Sequence, residues 1–228
     1  MENRSLLVEQ FPSLKRAGYP HAFVRRVPHI DVSYDKAEVL LRLDAVHQSV
    51  RTSLGLDGAA FLTTEQVHGN QVVVIDAPIE SDRSFSGCDG LITNQPGVCL
   101  GIHVADCCAV YLVDPLRACI GLIHSGQKGT ELEIVKRAIF LLGERFGSKP
   151  SDLTVQLSPC IRPPHYETDF AAEIVRQCYA TGVVNVSDCG ICTACDLEHY
   201  YSYRAEKGRT GRMLAFLALN ASGIIERD

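Results

Sequence analysis

Three short segments of this 228-residue chain end a strand-like run on a side chain that can ligate a metal. They are TTEQVHG at His68, HVADCC at Cys107 and LIHSGQKG at His124. One thiolate and two imidazoles suffice to hold Zn²⁺ and leave a fourth position for water or substrate, the layout of a catalytic rather than a closed structural site. Cys107 and His124 could instead be the nucleophile and base of a cysteine hydrolase. The ligands stand 39 and 17 residues apart, and spacing alone does not choose between these chemistries and plainer ones. A strand-end histidine can simply be hydrogen-bonded, and Cys107 lies in an apolar run where packing accounts for a small hydrophobe. A second set, Cys189, Cys192 and Cys195, forms C-x₂-C-x₂-C with His199 beyond it. That spacing is like the start of an iron–sulfur ligand run, but a fourth cysteine and its following proline are missing. A second metal or redox role and ordinary thiols both stay open there.

These residues need elements to position them. Val39, Leu40, Leu43, Val46, Val50 and Leu54 recur at helical steps between about Tyr34 and Leu54, and Gly55 ends that helix. FLTTEQVHG and QVVVID read as strands flanking His68, with Gly69 and Asn70 in the turn. LITNQPGVCLGIHVADCCAVYLVDP and ACIGLIHSG are β-rich, and LTVQLSPC is a further strand. Glu131–Phe146 is an amphipathic helix by its apolar stripe, and Asp169–Gly182 and Arg212–Leu219 read as two more helices. The order is no regular βαβ alternation, so an α+β fold with a mixed, largely buried sheet is expected, as a single domain over residues 1–228.

Composition bounds the rest. With 46% apolar and 21% charged residues the chain can bury a sizeable core. A net charge of −5 gives no bulk attraction to nucleic acid or to an anionic membrane. No export signal is visible, and the strongest apolar run, Cys107 to Val113, is too short to span a bilayer. The ten cysteines therefore read as reduced thiols of a cytoplasmic protein.

QVHG, DGLIT, ADC, HSGQKG, PCIRPPHYE and CTACDLEHYYSYR…TGR occur in an order that resembles the laccase-domain, or polyphenol-oxidase-like, family. Its bacterial members are similar to purine nucleoside phosphorylases. The resemblance covers about residues 20–220 and implies a four-layer αββα sandwich. It implies one zinc on His68, Cys107 and His124, and phosphorolysis or deamination of adenosine-type nucleosides, so that the partners are a small nucleoside and phosphate. Zinc can bring the pKa of bound water to about 7 for attack on a purine ring. Phosphorolysis instead needs cations for phosphate and a group that stabilises the departing purine. Arg26, Lys128 and Arg204 are the candidate cations. Asp106, beside the thiolate, is the candidate base or orienting carboxylate. Cys160 and His165 belong to a proline-bound loop expected near the site.

Two departures bear on substrate. The family commonly has HAGWRG where this chain has HSGQKG, so Gln127 stands for a tryptophan and Lys128 for an arginine. Lysine keeps the charge without the planar bidentate grip. VPHIDVSYDK also replaces a glycine-rich segment. A multicopper oxidase needs many histidines, often closely paired, whereas this chain has eight and no His-x-His. Copper could still replace zinc at a nitrogen and sulfur site. A binding module that keeps metal without turnover is the non-enzymatic alternative.

Overall fold

The computed structural model describes residues 7–219. Twelve strands form two sheets of six. The first sheet runs, edge to edge, β1 (Val8–Glu9), β2 (His21–Val24), β12 (Met213–Leu219), β7 (Val98–Val104), β3 (Ala60–Glu65) and β5 (Arg83–Ser86). The second runs β11 (Asn185–Asp188), β10 (Thr154–Leu157), β8 (Cys108–Asp114), β9 (Cys119–Ser125), β6 (Gly90–Thr93) and β4 (Val72–Ile75). Both are mixed. The β7–β3–β5 run is parallel and the β12–β7 pair antiparallel; β8–β9–β6 is antiparallel and β6–β4 parallel.

The strands alternate their side chains between two cores, as a period of two requires. Leu62, Leu100, Ile102, Ala215 and Leu217 of the first sheet meet Ala109, Tyr111, Val113, Ile120 and Leu122 of the second in one buried cluster. Buried Tyr111 crosses that interface, its hydroxyl donating to the Ala22 carbonyl at 2.9 Å. The opposite faces take helices. Helix α4 (Ile134–Phe146) and helix α5 (Phe170–Ala180) lay Val135, Ala138, Leu142, Ile174 and Cys178 against Val110, Leu112 and Ile123. Helix α2 (Lys36–Ser53) sets Val50 over Ala22, Val24, Leu214 and Phe216. The result is helix, sheet, sheet, helix: the expected α+β four-layer αββα sandwich. Each fully buried Leu, Ile or Val contributes roughly 1.5–3 kcal/mol to holding the layers together. Helix α1 (Pro12–Arg16) is a single short turn, and no described helix is long and apolar enough to cross a membrane.

Helix starts follow local chemistry. Asp35 caps α2 by accepting from the Ala37 and Glu38 N–H groups, and Asp169 caps α5 by accepting from Ala172. Two expectations need correction. The stretch read as a helix from Arg212 to Leu219 is the central strand β12, buried on both faces between β2 and β7. Seven consecutive apolar residues carry no usable period, and the sheet decided. The helix expected from Glu131 to Phe146 starts three residues later, as α4, because Glu133 takes a left-handed φ of 57° and parts it from the short α3 (Gln127–Glu131) before it.

Candidate metal centre

The chain passes between the two sheets four times at one end of the sandwich, the last time between β11 and β12. The segments joining β3 to β4, β5 to β6 and β7 to β8 carry His68, Asp89 and Cys107 respectively. His124 comes from β9, paired across the ladder to Ala109 just beyond Cys107. The ligand atoms of His68, Cys107 and His124 consequently lie within 4.8 Å of one another. A tetrahedral zinc spaces such donors by roughly 3.3–3.6 Å, so small side-chain movements close the set. The two imidazoles stand at 78° with centroids 4.8 Å apart, and so approach from different directions.

The residue that organises the centre is Asp89, the first of DGLIT, to which sequence reasoning assigned no role. Its fully buried carboxylate accepts from His124 Nδ1 at 2.9 Å and from the His68 and Gly69 N–H groups at 2.8 and 2.7 Å. Its carbonyl accepts the His124 N–H at 2.7 Å. One carboxylate thus fixes the His124 ring with Nε2 left for a ligand and holds His68 at a left-handed φ of 59°. Burial pushes the Asp89 carboxyl up, but His124 and these N–H donors outweigh it and leave it lowered. Burial likewise raises the Cys107 thiol, yet the His124 and His68 imidazoles bring it down to about 6. Cys107 and Asp89 together raise His124 to about 9 against the effect of burial. Without metal this is a thiolate–imidazolium pair, and an ion bound there would take the place of the Nε2 proton. Gly126 leaves room for the sulfur, since a Cβ there would lie 2.5 Å from Cys107 Sγ.

The centre opens into a cavity of about 680 Å³. Lys128 and Arg204 line it, and so do Lys36, Arg212, Tyr166 and Tyr203, which sequence reasoning passed over. Arg212 lay inside the TGR motif and was legible there; Lys36, from the divergent segment, gave no signal. Arg204 is engaged by Glu167 through two bonds of 2.7 and 3.0 Å and lies over Tyr166. Arg26 is not in the cavity lining. Its guanidinium bonds Glu206 at 2.6 Å and the Tyr200 carbonyl, and stacks on Tyr201. Asp106 lines the cavity, but one carboxylate oxygen accepts from Thr193 and the other from the Arg204 N–H, which suits it to positioning. Gln127 donates to Glu131 at 2.9 Å at the cavity wall. Cys160 is buried and His165 exposed, and neither lines the cavity.

The family described as multi-copper polyphenol oxidoreductase laccase matches residues 30–179 and 165–220. The chain belongs to this family. Within the laccase family it is similar to purine nucleoside phosphorylase YlmD of Geobacillus stearothermophilus, with 31% identity over 196 residues, 67% of this chain and 70% of that one. A purine nucleoside phosphorylase of Deinococcus radiodurans is 30% identical over 233 residues, covering 88% and 89% of the two chains. The crystal structure of the Geobacillus YlmD superposes with a TM-score of 0.78 at 25% identity, over 94% of this chain and 99% of that one.

For a laccase-family member the metal-binding potential is narrow. Among the described residues, His68, Cys107 and His124 are the one group of three or more such side chains gathered closely enough to hold an ion. Cys189, Cys192 and Cys195 do not converge with His199, whose Nδ1 instead bonds Asp196 at 2.8 Å. All ten cysteines are free thiols.

Proposed function

We propose that this chain is a zinc-dependent purine nucleoside enzyme, carrying out phosphorolysis or deamination of adenosine-type nucleosides. The observation that carries the reading is one cavity lined by two unlike groups, the His68–Cys107–His124 set and the cations Lys36, Lys128 and Arg212. The names of the relatives support phosphorolysis of a purine nucleoside. His68, Cys107 and His124 would hold the zinc, and zinc bound there supplies Lewis acidity and eases deprotonation of water near neutral pH. Asp89 keeps the Nδ1 proton of His124 in place. Lys128, with Lys36 and Arg212, offers the positive charge for phosphate, while Arg204 is already neutralised by Glu167 and Arg26 by Glu206. Tyr166 and Tyr203 offer flat faces for a purine. In phosphorolysis a phosphate oxygen bonds to C1′ as the C1′–N9 bond breaks; in deamination water adds at C6 and ammonia leaves. Copper could occupy the same nitrogen and sulfur donors. The free thiols and the nucleoside substrate fit a cytoplasmic protein.

A second reading rests on the Cys107–His124–Asp89 chain, which without metal has the parts of a cysteine hydrolase. Metal analysis of protein purified without added metal, paired with an adenosine-plus-phosphate assay, separates the two. One zinc per chain is the expected result, with adenine from phosphorolysis, inosine from deamination, or hypoxanthine from both. A metal-free protein would instead favour the hydrolase, and zinc without turnover of any purine nucleoside would favour a binding module.

A further inference from the structure

On the outer face of the first sheet, beneath α2, lies a second cavity of about 540 Å³. The helix does not close on the sheet there with apolar side chains. Val50 packs normally, but the neighbouring face presents His47 and Arg51, one turn apart, only 4% and 9% exposed. His47 Nε2 and Arg51 Nε and Nη1 have no hydrogen-bond partner. Buried donors left unpaired lower stability, and such groups in a native fold call for a reason.

The surroundings indicate what would satisfy them. Arg51 is the one positive charge in the lining, 4.4 Å over the Phe61 ring. Its Nη1 stands 3.6 Å from Asp82, whose exposed carboxylate already accepts the Phe61 N–H at 2.8 Å. Phe61 leans on Phe216 at 5.6 Å and lies across Gly101, where a Cβ would come within 2.4 Å of the ring. Phe216 and Leu214 are covered, so half-buried Phe61 and, from α2, half-buried Leu40 supply the apolar surface that the cavity reaches. His103 on β7, its ring 5.9 Å from that of His47, walls both this cavity and the metal cavity. Burial holds the His47 and His103 imidazoles neutral, lowered to about 4 and about 3. Asp44 and Asp82 stand at the rim, both exposed, and oppose a ligand of more than one negative charge.

We propose that this cavity binds a small organic monocarboxylate, its carboxylate on Arg51 and His47 and its apolar body against Phe61 and Leu40. A single planar anion matches the guanidinium, and the apolar lining matches a hydrocarbon body. The site is separate from the proposed nucleoside chemistry, and its test does not depend on that activity.

The full chain has no tryptophan, so the fluorescence of 2-naphthoate reports binding directly, with benzoate as a non-fluorescent competitor. Saturable one-to-one binding is expected, weakened about tenfold or more by Arg51→Met and only partly restored by Arg51→Lys, which keeps charge without the fork. No saturation at millimolar 2-naphthoate, or binding that survives Arg51→Met, overturns the proposal. A ligand-free check guards against misfolded variants. If His47 and Arg51 are kept for a ligand, His47→Leu and Arg51→Leu should leave the melting temperature unchanged or raise it. A clear fall in both would make them packing residues and sink the assignment.

Discussion

Asp89 does more for the candidate centre than any residue that would touch the metal, because one carboxylate restrains two ligands from different segments. Asparagine keeps its shape, but its amide offers one acceptor where the carboxylate serves His124 Nδ1 and a row of backbone N–H groups. Asp89→Asn should therefore weaken metal binding by roughly 10–100-fold, the usual effect of losing an outer partner of a ligating histidine. Chelator competition measures it, and unchanged affinity would show that the ligands hold themselves. The thiolate gives a second test at the same scale. In metal-free protein the Cys107 thiol, raised by burial but lowered further by His124 and His68, sits at about 6. Its thiolate is populated above that pH and lost below it. Iodoacetamide should modify Cys107 with a half-maximal rate near pH 6, where an ordinary cysteine responds near 8.5. A midpoint near 8.5 would mean that the imidazoles do not stabilise the thiolate.

At the scale of elements, the sequence showed the candidate ligands and hid what holds them. A strand-like run before each ligand was visible from alternation and turn residues, and α2 from its helical spacing. Met213–Leu219 was not legible, because a strand buried on both faces between β2 and β7 is uniformly apolar. Asp89 was missed because a buried aspartate at the head of an apolar strand reads as a turn residue until its partners converge from distant segments. Arg26 and Lys36 are the converse pair. The motif pointed to Arg26, which Glu206 and Tyr201 hold outside the cavity, while Lys36 reaches the cavity because the capped start of α2 lies beside it. The break between α3 and α4 is also local. Glu133 is left-handed and exposed, paired only with Lys136. Its conformation costs about 1–2 kcal/mol, and glycine there would return 0.4–1 kcal/mol through the unfolded chain, roughly, besides losing a weak surface ion pair. Glu133→Gly should thus stabilise by a small margin, about 0.5 kcal/mol, whereas Glu133→Ala should not. Urea unfolding of both variants decides it, and a clear loss for glycine would mean that the side chain holds the α3–α4 corner.

Across the whole molecule, the centre sits where the two sheets exchange chain. His68 and Cys107 lie on segments that pass from one sheet to the other, and His124 lies on a strand of the second sheet. The apolar interface fixes the layers, but their ends near the cavity rely on Asp89 and on whatever joins the three ligands. An ion bound there would be a cross-link between sheets as well as a reagent. Binding to the folded state alone adds about 2.7 kcal/mol when free metal is a hundredfold above Kd. For a chain of this size that corresponds to a melting shift of roughly 5–11 °C. Chelation should lower the melting temperature by that order, and amide exchange should quicken at the cavity ends of β3, β8 and β9 before the far ends of the same strands. His68→Ala should abolish the difference between metal-loaded and metal-free protein. A chelated protein that melts with the loaded one, its exchange unchanged at those strand ends, would show that the ion contributes nothing to the fold and leave the crossings held by Asp89 alone.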